Sequence, residues 1–270
     1  MILYYAAGGG LGHLTRGRRV LEALGLAEDA ALITTSIYAS DTRVTGSIPV
    51  IPVPSHLEHA PTEHHAWLRD LLRIHPGERL IADAFPAGIQ GELSGLPIPM
   101  DHVARILRLD EYRRAVPDGI PHFGTTWIVE ELTLDHETFV RQHSNRVETL
   151  AFRRETIESL APAEGFWLIV HSGPEDEVQE LIAYTATLRD LAASPPARIV
   201  VASRCSVALP DGFEPTDVYP AVRLFPSASR IISAAGFNVI HETTPWTAKH
   251  EVVPFPRRFD DQYLRASRRR

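Results

Sequence analysis

The chain has 270 residues, 44% of them hydrophobic, a formal net charge of −7 and a pI of about 6.0. That is apolar material for a proper core, at the border between one large domain and two modest ones, and the acidic balance excludes a global positive field that would draw the protein onto nucleic acid or an anionic membrane surface. One cysteine, Cys205, excludes an internal disulfide and, with no cleavable signal pattern at the N-terminus, points to the cytoplasm. No run approaches the roughly 20 apolar residues of a membrane span. Lys249 is the single lysine, so chemistry that needs a lysine elsewhere is excluded.

Strands and helices alternate along the chain. Ile2 to Ala7 is a short apolar run of β-formers, and Leu14 to Leu24 carries Leu14, Val20, Leu21 and Leu24 between arginines in a helical pattern. Ala31 to Thr35 reads as the next strand, Ile48 to Val53 as a proline-interrupted edge strand, and His64 to Ile74 as a helix. Arg79 to Asp83, "RLIAD", reads as a buried strand ending in a carboxylate. From Pro97 to Glu131 proline and glycine interrupt every pattern. The polar stretch from Ser144 to Gly165 reads as containing the link between two halves, residues 1–145 and 146–270. Alternation then restarts: strand Phe166 to Val170, helix Glu175 to Ala193, strands Arg198 to Ala202 and Arg230 to Ser233, helix Gly236 to Thr243, strand Val252 to Phe255 and helix Asp260 to Arg268. Two such halves predict an α/β chain of two Rossmann-like domains facing one another across a cleft.

The stretch "AAGGGLGHLTRGRRVLEALG", residues 6–25, is a glycine-rich turn between a strand and a helix. Such a turn presents backbone N–H groups and a positive helix dipole, which suit anions and sugar hydroxyls. It lacks the third glycine of a dinucleotide fingerprint, because His13 stands there, and the Gly-Lys-Ser/Thr of a phosphate loop. What it offers is an imidazole, whose unperturbed pKa of about 6.5 suits it to accept a proton from a hydroxyl or water at neutral pH. His13 is either that base or a helix-terminal residue bonded to a neighbouring strand. Asp83 is a second candidate, as base, as orienting partner of His13, or as a cap for the turn "AFPAG".

Near the other end, "SAAGFNVIHE" puts small residues and then Asn238 and Glu242 after a strand, and "PFPRRFDDQ" puts Asp260, Asp261 and Gln262 at a helix start. Small residues admit a diphosphate, Glu242 can accept two ribose hydroxyls, and the Asp-Asp-Gln group can bind sugar hydroxyls or cap the helix. Arg257 and Arg258 are either partners for a diphosphate or solvated arginines. His56, His59, His64 and His65 in "SHLEHAPTEHH" match no closed metal site and read as a polar, mobile loop. Trp67, Trp127 and Trp246 can stack on a sugar or base or pack in the core. Cys205 reads as a small buried residue with no activating partner.

Together "GGGLGHLTR", "SAAGFNVIHE" and "PFPRRFDDQ" resemble the GT-B glycosyltransferases, especially the branch with the GlcNAc transferase that makes lipid II. The resemblance covers both ends and their spacing, the middle matching only in its βα rhythm. It implies an inverting, metal-independent transfer of a sugar from a nucleotide sugar, UDP-linked, to a small-molecule acceptor, with no cofactor besides that donor. By matching position Gly10, Gly12 and His13 line the cleft, Ala235, Gly236 and Asn238 contact phosphates, Glu242 the ribose, and Asp261 with Gln262 the donor sugar. Ser172 and Gly173, in "IVHSGPED", stand at the first strand-to-helix turn of the nucleotide domain. Members of the branch continue beyond the Asp-Asp-Gln helix, whereas this chain stops at Arg270. The short length is similar to nucleotide-sugar hydrolases of the same fold, which share a Gly-His turn and use water. Hydrolysis is therefore the alternative, with a non-catalytic nucleotide-sugar-binding subunit behind it; oligomeric state is open.

Overall fold

The computed structural model describes residues 1–75, 77–117, 119–152, 165–196 and 198–269. The chain divides into two compact units, Met1–Arg154 with Arg258–Asp261, and Glu155–Arg257 with Gln262–Arg270.

The first unit runs β1 (Ile2–Ala6), α1 (Leu11–Ala23), β2 (Ala30–Thr34), α2 (Thr42–Thr45), β3 (Val50–Pro52), α3 (Pro61–Ile74), β4 (Arg79–Asp83), β5 (Met100–Ala104), α4 (Leu109–Ala115), β6 (Phe123–Ile128), α5 (Leu134–Gln142) and β7 (Ser144–Thr149). Its seven strands are parallel, in the order β3-β2-β1-β4-β5-β6-β7. β1 is buried throughout, as a central parallel strand covered on both faces must be. Its side chains alternate: Leu3 and Tyr5 join the core beneath Leu68 and Leu71 of α3, while Tyr4 meets α1 at Gly17, where a Cβ would lie 2.8 Å from the Tyr4 ring. The strand order reverses between β1 and β4, a topological switch point at the carboxyl ends of both strands.

The second unit runs β8 (Trp167–Val170), α6 (Glu175–Leu191), β9 (Ile199–Ala202), β10 (Phe213–Thr216), β11 (Arg230–Ala234), α7 (Phe237–Glu242), β12 (His250–Val253) and α8 (Gln262–Ser267). Its five parallel strands are ordered β10-β9-β8-β11-β12, so the order reverses between β8 and β11. Ile169, Val201 and Ile232 pack with Val178, Leu181 and Ile182 of α6 on one face, and Leu168, Val200 and Ile231 with Leu224 and Phe225 on the other.

Three features depart from the sequence expectation. Ser144–Thr149 belongs to no linker: it is the edge strand β7, and its largely exposed "SNRVET" has the polar composition an uncovered edge favours. Residues 153–164 of the expected link lie outside the described residues. β10 and α5 went unread, and the interrupted stretch 97–131 holds β5, α4 and β6. The last helix begins at Gln262, so Asp260 and Asp261 precede it. No described helix is long and apolar enough to cross a membrane.

Candidate active site

At the first switch point β1 and β4 deliver a histidine and an aspartate to one another. β1 leads into Gly8, whose φ of +139° is a conformation open in practice to glycine. Its N–H donates to Thr35 Oγ1 at 3.0 Å, and α1 starts three residues later with Gly10 as its N-cap. His13 is the third residue of α1, and its ring lies flat on the turn: a Cβ on Gly8 would sit 2.5 Å from His13 Cδ2 and 2.8 Å from Nε2. Gly10 is exposed with open space where a Cβ would go. A Gly8→Ala variant should lose about 1–3 kcal/mol of stability and displace the imidazole, whereas Gly10→Ala should do neither; thermal melts and NMR of the His13 ring check both.

Asp83 ends β4 with its side chain fully buried. Tyr4 OH (2.7 Å) and Arg16 Nε (2.7 Å) donate to its Oδ1, and Arg16 Nη2 (2.5 Å) donates to its Oδ2. His13 Nδ1 lies 2.5 Å from the same Oδ2, and Arg16 Nη2 is 3.1 Å from Nδ1. A lone pair on Nδ1 would face the carboxylate, so the proton sits on Nδ1 and donates to Oδ2. Nε2 is then the basic nitrogen, with no hydrogen-bond partner among the described residues, on a side chain 16% exposed. Burial works against the Asp83 carboxylate, but the Arg16 charge and the bonds from His13 and Arg16 outweigh it and hold the group well below the usual carboxylate range. Burial lowers the His13 pKa; Asp83 pulls it up, Arg16 and Arg105 push it down, and the outcome is a ring neutral at pH 7. The next residue, Ala84, is non-glycine at φ +65° and fully buried. That strained turn swings Phe85 to within 5.6 Å of the His13 ring, centroid to centroid.

Of the three alternatives for Asp83, its bonds go to His13, Arg16 and Tyr4, the arrangement of an orienting partner. Arg16 and Tyr4 were not singled out in the sequence. The i, i+3 spacing of His13 and Arg16 on a helix was the signal available for Arg16; Tyr4 offered none. Asp260 pairs with Arg105, and Phe259 joins the cluster of Phe85 and Tyr112. Asp261 lies with it in the first unit.

The second switch point gathers the other candidates. Ser172 and Gly173 follow β8, and Ala235 and Gly236 follow the adjacent β11. Gly173 is held beside His171, where a Cβ would fall 2.4 Å from Nε2. His171 Nε2 lies 2.8 Å from Glu177 Oε2, and Arg257 closes on both Glu177 oxygens. Arg257 is therefore no solvated arginine, and His171 is a residue the sequence reading missed. Burial lowers the His171 pKa despite Glu177. Ala235 O accepts from the buried Arg265 of α8 at 2.9 Å, which pins the turn before α7. Asn238 is in the first turn of α7; Glu242 ends it, about 6 Å further along the axis. Gln262 is buried, its Oε1 accepting the Phe255 N–H at 3.0 Å.

The second half of the histidine-rich stretch is not loop, whereas His56 and His59 are exposed in the connection before α3. His64 and His65 lie on α3, His64 buried with Nε2 3.2 Å from Tyr5 OH, and His65 Nδ1 3.1 Å from Glu92 O. Among the described residues no group of three or more His, Cys, Asp or Glu is placed to hold a metal. Trp127 is buried, Trp67 packs on the α3 core and Trp246 stands edge-on to Phe225. Cys205 is half-buried and its thiol donates to Gly173 O at 3.0 Å.

No family model matches the chain, and no curated protein matches it. Solved structures do. The glycosyltransferase SnogD from Streptomyces nogalater is 14% identical, with 94% of this chain and 82% of that one covered and a TM-score of 0.59. MnaA of S. aureus, solved with UDP, is 10% identical over 94% of this chain and 79% of its own, at 0.64. The glycosyltransferase VinC, in complex with dTDP, is 14% identical over 99% and 84%, at 0.55. Two parallel sheets with alternating helices, each reversing its strand order once, thus give this chain the α/β fold of the GT-B glycosyltransferases.

Proposed function

We propose that this protein is a cytoplasmic glycosyltransferase that moves a sugar from a nucleoside diphosphate sugar, UDP-linked, to the hydroxyl of a small-molecule acceptor, with inversion and without a metal. The observation that carries this reading is the His13 imidazole, neutral, with Nδ1 held by buried Asp83 and Nε2 unengaged, at the switch point where ligands of such sheets bind. Nε2 takes the acceptor's hydroxyl proton while that oxygen forms a bond to the anomeric carbon; the bond to the diphosphate oxygen breaks and its electron pair leaves with the nucleoside diphosphate. The turns at Ser172 and Gly173 and at Ala235, Gly236 and Asn238 supply N–H dipoles for the diphosphate. Glu242 serves the ribose and Asp261 the sugar. UDP and dTDP in the MnaA and VinC structures support a nucleoside diphosphate ligand.

Thermal unfolding with UDP, dTDP, GDP and CDP, and with NAD and ATP as controls, tests the ligand class. At about 100 times its dissociation constant the right nucleotide should add about 2.7 kcal/mol, a shift of a few degrees. His13→Ala should keep that shift and lose at least about a hundredfold in nucleoside diphosphate release from the donor sugar, with water or an acceptor library present. A shift with NAD or ATP alone, or unchanged turnover in His13→Ala, overturns the reading.

A further inference from the structure

A buried carboxylate 2.5 Å from an imidazole has a side effect: it stabilises the imidazolium, and a protonated ring has no lone pair with which to take a proton. We propose that Arg16 is a positioning residue that removes this conflict, its guanidinium closing on both Asp83 oxygens so that Asp83 orients the His13 ring without charging it. This rests on the reading of His13 as the base.

The geometry supports it in three ways. Arg16 follows His13 by one turn of α1, so both reach the same carboxylate from one helix face. Its Nε and Nη2 meet Oδ1 and Oδ2 at 2.7 and 2.5 Å, the two-pronged match that a guanidinium supplies and an ammonium does not. Side-chain exposures of 3% for Arg16 and 0% for Asp83 leave the pair unscreened by water.

Asp83 comes from β4, Arg16 from α1, and Arg105 from the end of β5 with its partner Asp260; Tyr4 from β1 is neutral and donates to Asp83. Arg16, bonded to both oxygens of Asp83, thus opposes the carboxylate's charge at the ring. Without Arg16 the carboxylate 2.5 Å from Nδ1 loses the cation bonded to both its oxygens, and a proton on His13 becomes the compensating charge. The direction of the His13 shift, below its ordinary value with Arg16 among the lowering causes, agrees.

The test is ¹⁵N NMR titration of the His13 ring in the full chain. The wild-type ring should carry its proton on Nδ1 and titrate below the ordinary histidine range. In Arg16→Gln the midpoint should rise by about one pH unit or more, tenfold in proton affinity, and the acid limb of turnover should move up with it. Arg16→Lys, which keeps the charge, and the double variant R16Q/D83N, which removes the pair together, should each stay within about half a unit of wild type. An unchanged midpoint in folded Arg16→Gln, or a rise of a full unit in Arg16→Lys, overturns the proposal, and the lysine variant decides it if the glutamine variant does not fold. Because the ring is read in the free protein, a failed turnover assay overturns the transferase reading and leaves the titration result standing.

Discussion

Asp83→Asn should lower donor turnover by about a thousandfold or more, while the nucleotide shift persists. The substituted amide presents an NH₂ where Oδ2 now accepts from both His13 and Arg16. Two donors then face a third, and the imidazole relieves the clash by moving its proton to Nε2, the nitrogen that must stay unprotonated to act as a base. Loss of the carboxylate also leaves the Arg16 guanidinium buried with no counter-charge at that position. Breaking a buried pair from one side costs about 3–5 kcal/mol, so Asp83→Ala should unfold at markedly lower urea concentration. Turnover of Asp83→Asn within tenfold of wild type would show that the ring is oriented by something other than this carboxylate.

The second large effect is acid unfolding. Burial holds His102 and His250 down to about 3 and His136 down to about 4, and among the described residues neither ring nitrogen of His136 has a hydrogen-bond partner. Neighbouring cations add to the effect at two of them, Arg105 at His136 and Arg269 at His250. In the unfolded chain these rings titrate near 6.5. Below that value the unfolded state binds protons that the folded state refuses, so stability is complete above about pH 6.5 and falls as pH drops towards the folded values. Each group contributes up to about 1.4 kcal/mol per pH unit, and three together exhaust a typical 5–15 kcal/mol of stability within a few units. The depressed Asp83 acts in the same direction lower down, its contribution being lost as pH falls below the unfolded carboxylate value. The unfolding midpoint should therefore drop steeply between about pH 6 and pH 4, and His136→Leu should flatten that drop in the first unit. A midpoint flat to pH 4 would mean that these histidines ionise within the folded protein.

The alternation of strands and helices was legible because parallel strands buried on both faces, such as "ILYYA" and "WLIV", are continuous apolar runs, and because glycine-rich turns punctuate them. The carboxylate at the end of "RLIAD" and the histidine after "GGGLG" were legible as candidates by residue type and place. The edge strands β7 and β10 were not, although the edge strand β3 was. β7 is polar because one side has no neighbour, and β10, "FEPT", carries a proline that only an edge tolerates. Composition misled for the histidines of α3, since His64 lies inside through a bond to Tyr5 from a strand 59 residues away.

By itself the sequence determined the fold class, the positions of the glycine-rich turns and the candidates His13 and Asp83, since local propensity and hydrophobic period are properties of short windows. Only the tertiary structure decided what each group does. Strand order brings β1 beside β4, and this juxtaposition places Tyr4, His13 and Arg16 around a carboxylate some 70 residues away in the chain. Whether a histidine is a neutral base, an ion or a core residue depends on burial and on charges contributed by distant segments, and these exist only once the chain has folded.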